Sequence, residues 1–394
     1  VDIDVGQSPI VYSPDYDVTF AGIEKWYPLD TTRGAKIIRL LTDMKVLTEK
    51  TVIKPKEATN DHLSIVHSLD YLQNIKSPDV RARGKLPEVT SLALLPWFIV
   101  NGRLLRPMRF QVGGSVLAAK LALDFGWSIN LGGGFTHCCR KRSGGYSAYD
   151  DVTMTLTYLL GRHHVDRVMI VDLSAQQCNG PERTYMNDDR VYIADVYNNE
   201  VYPMDGYAKR GINCKGEIDG SVTNKEYLDV VRSTLEKALD EMSRPDVVVY
   251  VAGSDVISED AAGNMNISVD TLVERDQIVF LKIRSRGIPL VMLLGGGFSR
   301  NSHVAVAKSI YNLQKFGLIS ITNPSGEPNG TVGNPKKGKQ KISDADVAEN
   351  RDVLINGWGC DGCGVLKSRS GACVYMCVYV YVCVRVCACW FFSL

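Results

Sequence analysis

Between Pro9 and Leu313 the chain alternates short apolar runs with longer amphipathic segments, a pattern that predicts a parallel sheet flanked by helices. Strands are expected at Pro9–Tyr12, Trp127–Leu131, Arg167–Leu173, Arg190–Val196, Asp246–Ala252 and Pro289–Leu294. Apolar residues recurring at three- and four-residue spacing predict helices over Thr32–Leu47, Leu63–Ile75, Val112–Phe125, Tyr149–Leu160, Lys225–Met242, Ser268–Arg284 and Ser302–Phe316. Three of the strands run into glycine-rich or polar turns: Leu131-Gly132-Gly133-Gly134, Ala252-Gly253-Ser254-Asp255 and Leu294-Gly295-Gly296-Gly297. In open α/β sheets the carboxyl ends of the strands form the ligand crevice, so these turns and the Asp172–Gly180 loop are expected to meet at one site.

After Thr322 the pattern stops. Residues 321–358 are rich in polar and basic residues and read as a linker outside the fold; their Pro335-Lys336-Lys337-Gly338-Lys339-Gln340-Lys341 run is a soluble stretch before it is an import signal. Residues 359–394 form a Cys/Val/Tyr tail of low complexity, read as translated repeat DNA rather than an evolved element. Cys360 and Cys363 have zinc-knuckle spacing, but no second pair and no His follows them. The chain opens at Val1 without an initiator Met or a charged-then-apolar leader, as expected of a sequence that begins downstream of its natural start.

Composition removes several function classes. Lys+Arg 45 against Asp+Glu 44 gives a net charge of +1, so no global field draws the protein to nucleic acid or anionic lipid. Tail aside, no apolar run reaches the roughly 18–20 residues of a membrane span. Cys138, Cys139, Cys178 and Cys214 are scattered through the α/β body, which points to a reducing compartment rather than a disulfide framework. His62 and His67 are read as surface or capping residues, and His163-His164, after a helix end, as structural.

At Gly132-Gly133-Gly134-Phe135-Thr136-His137-Cys138 the chain resembles the histone deacetylases, in particular their class IV branch. The likeness continues in Gly144–Asp151, Asp172–Gly180, Arg190–Asn198, Val249–Asp255 and Pro289–Gly297, and upstream in Phe20–Asp30. It covers most of residues 9–316 in order and implies the arginase/deacetylase fold, one parallel sheet of about eight strands between helical layers. Residues 1–320 are accordingly expected to form a deacetylase-like domain.

The resemblance implies zinc-assisted hydrolysis of an acyl-lysine amide, with two aspartates and a histidine on the metal, a His pair for the proton and a tyrosine donating to the oxyanion. Carried over by position, His137 is the second His of the pair, with Asn179 as its orienting partner. Asp172 is the partner of the first His, which here is Thr136. Asp255 is one metal carboxylate, but the other is Ser174, the metal imidazole is Gln176 and the oxyanion tyrosine is Phe298. Gly145, Tyr146 and Gly297 fall on the acyl-lysine tunnel.

Neutral Ser and Gln oxygens are poor zinc ligands, and loss of the oxyanion donor alone costs about 2.7–4 kcal/mol of transition-state stabilisation. The expected protein is therefore a pseudoenzyme with no cofactor, acting as a scaffold or acyl-lysine reader in the nucleus or cytoplasm. Its expected partners are acylated lysine peptides, histones or a deacetylase complex, with no direct nucleic-acid or membrane contact. The competing expectation is an active Zn2+-dependent lysine deacylase, with Cys178, Asp255 and His137 as a conceivable replacement ligand set. A third is the product of a decaying gene.

Overall fold

The computed structural model describes residues 6–18, 30–77 and 95–321. Residues 19–29 of the early loop, the linker from residue 322 and the low-complexity tail, with its Cys360/Cys363 pair, lie outside the described residues. Ile321 is fully buried in the core, one residue past the domain end expected at 320.

The described residues form one parallel sheet of seven strands, in the order β1-β2-β7-β6-β3-β4-β5. The strands are β1 (Ile10–Val11), β2 (Trp127–Asn130), β3 (Val168–Asp172), β4 (Val191–Asn198), β5 (Cys214–Ile218), β6 (Val247–Val251) and β7 (Leu290–Leu293). Every residue of β2, β3, β4, β6 and β7 is buried, as it must be where helices cover both faces of a sheet. Strand β5 escapes sequence reading for the opposite reason: it is an edge strand whose Lys215 and Glu217 are exposed, so it never forms an apolar run.

Successive side chains point to opposite faces and feed two cores. On one face Val168, Ile170, Val249 and Leu293 pack against Leu117 and Leu121 of α4 (Arg106–Phe125) and Val152 and Leu156 of α5 (Asp151–Leu160), which follow α1 (Arg33–Asp43), α2 (Asn60–Ser64) and α3 (Leu69–Asn74) along the chain. On the other, Met169, Val171, Tyr250 and Met292 join Ile37 of α1. That core also holds Leu235 of α7 (Asn224–Glu241), Phe280 of α8 (Val269–Arg284) and Ile310 of α9 (Ser302–Lys315), which follow α6 (Asn179–Tyr185). Local signals fix the starts: Thr223 and Glu226 form a reciprocal capping box on α7, and Ser268 caps α8.

The helix expected over Leu63–Ile75 is two helices, because a second N-cap, Ser68, falls inside it. Thr59 caps α2 and Ser68 caps α3, each accepting from a backbone amide of its own first turn. His62 completes a capping box with Thr59, as its place in the sequence suggested. His67 does not lie on the surface: it is fully buried and its Nε2 accepts from the Asp150 amide at 3.0 Å. Packed beside the Tyr71 and Tyr149 rings, it joins the α2–α3 corner to the start of α5.

Arg275 is the largest fully buried side chain. Its guanidinium donates to the Leu173 carbonyl at 3.0 Å and the Gly253 carbonyl at 2.7 Å, and pairs with Asp276. Asp276 in turn accepts from the Tyr250 hydroxyl and, at 2.6 Å, from the Ser309 hydroxyl. One cation thus ties the ends of β3 and β6 to α8 and α9. Arg275→Met leaves Asp276 uncompensated in the core and is expected to cost about 3–5 kcal/mol, measured as a lowered urea midpoint.

Burial lowers the His67 pKa from 6.5 to about 4. Its folded-state value lies below its unfolded value, so the unfolded chain binds the proton first and stability falls as pH drops from about 6.5 toward 4. Wild type is expected to lose about 3 kcal/mol across that window relative to His67→Phe, read from paired denaturation curves at each pH.

Candidate functional site

Four loops leave the carboxyl ends of β2, β3, β6 and β7, and the structure brings them to one place. The first and last meet backbone to backbone: a Cβ on Gly134 would lie 2.6 Å from the Gly295 nitrogen, and both residues have positive φ (+78° and +58°). Asp151, at the start of α5, accepts from the Gly134 amide (2.7 Å), the Phe135 amide (3.0 Å) and the Ser115 hydroxyl (2.6 Å), which fixes the segment leading to Thr136 and His137. Under the last loop the buried Arg33 donates to the carbonyls of Gly295 (2.8 Å) and Gly296 (2.9 Å).

A small cavity of about 20 Å³ lies where these loops converge. Its lining includes Thr136, His137, Gly145, Ser174, Gln176, Asp255 and Phe298. A volume of this size holds about one water molecule. Six positions from four separate loops (136, 137, 174, 176, 255 and 298) therefore line one cavity. Tyr146 and Gly297 line a neighbouring cavity of about 60 Å³, with Tyr16, Arg33 and Phe135 among its other walls. Asn179 and Asp172 stand behind the first cavity.

His137 is held on both ring nitrogens. Nδ1 lies 2.8 Å from Asn179 Oδ1, and the Asn179 amide donates to Asp205 at 3.2 Å, which turns its carbonyl toward the imidazole. Nδ1 thus carries the hydrogen and Nε2 is an acceptor, so its 3.0 Å contact with Gln176 is a hydrogen bond with the side-chain amide turned to present its NH2. The ring also meets Tyr202 edge-on, centroids 5.0 Å apart, and Gly145 fits against it only because it lacks a Cβ, which would fall 2.1 Å from His137 Cδ2.

The carboxylates are buried and mostly turned toward backbone amides. Asp172 Oδ1 accepts from the Ser174 amide at 2.8 Å while its Oδ2 has no protein partner; burial raises its pKa to about 6, against the hydrogen bonds from Ser174. Asp255 accepts from the Ala175 amide at 2.9 Å, and burial, then the nearby Asp260 charge, pushes its pKa to about 7. Asp260 accepts from the Phe298 and Ser299 amides, so the Phe298 ring is set by its backbone and packs edge-on against Tyr146 at 5.7 Å.

Sequence reasoning missed three of these parts. Tyr202, Asp151 and Asp260 carry no spacing signal of their own; an aromatic followed by proline in the loop after a strand is the only cue Tyr202 gives. The conceivable Cys178, Asp255 and His137 ligand set is not assembled: Cys178 is buried outside the cavity lining, and burial beside Asp172 and Asp195 drives its thiol well above the usual range. Cys138 is likewise committed, its thiol 3.0 Å from the Ser147 carbonyl.

Against known proteins the chain matches the histone deacetylase domain model over residues 27–313. It is 42% identical over 321 residues to "Histone deacetylase 2" of Arabidopsis thaliana, covering 81% of either chain. With the acetoin utilization protein AcuC of Staphylococcus xylosus it shares 27% identity over 286 residues, 69% of this chain and 73% of that one. Among solved structures it resembles the deacetylase homologue from Aquifex aeolicus (TM-score 0.62, 20% identity, 79% of this chain and 84% of that one). It also resembles an acetylpolyamine aminohydrolase from Burkholderia pseudomallei (TM-score 0.59, 15% identity, 77% and 97%). The chain belongs to the histone deacetylase domain family.

The zinc ion that membership implies does not fit the residues present. Among the described residues no group of three His, Cys, Asp or Glu side chains is placed to hold a metal. At the cavity the available donors are Asp255, a serine hydroxyl, a glutamine amide and an imidazole nitrogen already facing that amide. A catalytic zinc needs three charged or imidazole ligands and an open position.

The Asp151 anchor gives the loop a testable weak point. Asp151→Ala strands two backbone amides and a hydroxyl in the core and is expected to cost about 3 kcal/mol. Amide hydrogen exchange should accelerate at Gly134 and Phe135 well before global unfolding.

Proposed function

We propose that this chain is a non-catalytic histone deacetylase-like protein of the class IV branch, which binds acylated lysine, in a peptide or a histone, without cleaving it. The observation that carries the reading is the pairing of His137 Nε2 with Gln176 at 3.0 Å. The nitrogen that would take a proton from water instead faces a neighbouring side chain, and Ser174 supplies no charge that could acidify a water beside it. Phe298 keeps an aromatic ring at its position but has no hydroxyl to offer an oxyanion.

Binding is supported by the walls that persist. Tyr146 and Phe298 are half-buried rings that wall the two neighbouring cavities, and Tyr202 backs His137; cavities of about 60 and 20 Å³ must widen between these rings to admit an acyl-lysine side chain. Such a reader fits a nuclear or cytoplasmic role as a scaffold within a deacetylase complex.

The 42% identity to a relative named as a histone deacetylase favours a second reading, an active Zn2+-dependent lysine deacylase. Elemental analysis beside an acyl-lysine hydrolysis assay separates the two. The purified chain is expected to hold less than about 0.1 zinc per molecule and to release no acetate or fatty acid. Thr136→His, Ser174→Asp, Gln176→His and Phe298→Tyr combined should raise zinc to about one per chain and restore turnover. Tightly bound zinc together with acyl release by the unaltered protein overturns the proposal.

A further inference from the structure

The loop that carries His137 continues into two successive tight turns. The first is closed by reciprocal backbone hydrogen bonds between Cys139 and Arg142 (3.0 and 3.2 Å), the second by the same pair of bonds between Gly144 and Ser147 (3.1 Å each). Gly145 and Tyr146 form the tip of the second turn, against the His137 ring and the Phe298 ring. Arg140, Lys141 and Arg142 are exposed on the first. The first turn is also pinned from below, because the Ser68 amide at the cap of α3 donates to the Arg140 carbonyl at 3.0 Å.

Three adjacent cations are therefore presented on a fixed backbone. Arg142 is three residues from Gly145, so their Cα atoms are at most about 11 Å apart, a distance an extended peptide covers in about three residues. None of the three forms an ion pair among the described residues. The acidic groups around the two cavities, by contrast, each have a hydrogen-bond or ion-pair partner within the chain. Asp205 pairs with Arg183 at 2.6 Å, Asp30 pairs with Lys36 at 2.6 Å, and Asp260 is held by the backbone amides of Phe298 and Ser299. The Asp17 carboxylate accepts from Tyr12, and Glu259 from Asn301. The turn therefore presents three cations without an ion pair among the described residues, although the chain as a whole carries only +1.

We propose that the exposed turn Arg140-Lys141-Arg142 is a charge-selective rim that favours an acylated lysine set in an acidic peptide. The inference rests on the acyl-lysine reading above and names its preferred sequence context. Nucleic acid is the poorer occupant. Three charges on one turn fall short of the roughly 6–10 phosphate contacts of a nucleic-acid surface, whereas two or three flanking Asp or Glu side chains match them in number.

The test is fluorescence anisotropy on the full chain with labelled peptides carrying one acetyl-lysine between acidic, neutral or basic flanks, each also made without the acetyl group. Acidic flanks should tighten binding about tenfold over neutral ones at low salt, and the advantage should shrink as salt rises. In Arg140→Gln/Lys141→Gln/Arg142→Gln the advantage should fall within about twofold while the neutral peptide binds as before. Equal binding of acidic and neutral acetylated peptides, or a preference that survives in the triple variant, overturns the rim and leaves the pocket reading standing. An acidic preference shown equally by unacetylated peptides supports the rim and overturns the pocket reading. A short DNA duplex that binds as tightly as the acidic peptide, and is lost in the triple variant, overturns the peptide assignment.

Discussion

The carbonyl oxygens of Leu173 and Gly253 end two neighbouring strands, and both accept from the single buried guanidinium of Arg275. Each is followed closely by a site residue: Ser174 comes directly after Leu173, and Asp255 two positions after Gly253. A metal ion held by both loops would fasten them to each other; here that work falls to Arg275 and to the Asp255–Ala175 hydrogen bond. A buried cation is costly unless fully paired, and this one is paired with Asp276 and surrounded by carbonyl and hydroxyl oxygens. The cavity above can therefore keep its shape without an ion at its centre.

What fills that centre is a chain of hydrogen bonds. Asp205 orients Asn179, Asn179 orients His137, and His137 meets Gln176. Each link is ordinary in strength, but together they define the imidazole's tautomer and leave room for about one water. The chemistry associated with the fold needs an ion with an open coordination position, and the donor set offers neither the charge nor the vacancy.

Much of the architecture was legible because buried parallel strands write themselves as continuous apolar runs: β2, β3, β6 and β7 all fall inside segments read from hydrophobicity. Strand β5 was invisible because an edge strand with one solvent face contains Lys215 and Glu217. The α2–α3 break was missed because an apolar period continued across the Ser68 cap, and only packing decided that His67 would turn inward. At the site, the glycine-rich turns and the resemblance located Thr136, His137, Ser174, Gln176, Asp255 and Phe298. Tyr202, Asp151 and Asp260 were not found, because they act through three-dimensional contacts that leave no periodic trace.

The sequence by itself determined which functional groups are present: one carboxylate at Asp255, one imidazole at His137, and Ser, Gln, Thr and Phe where charged, basic or hydroxyl-bearing groups would support hydrolysis. Chemical identity is a property of each residue and needs no coordinates. Only the tertiary structure decided what those groups do to each other, because strands distant in sequence become neighbours in the sheet and set the distances between their loops. That is how Gln176 comes to lie against His137, and how three basic residues on an outlying turn come to stand beside the rim.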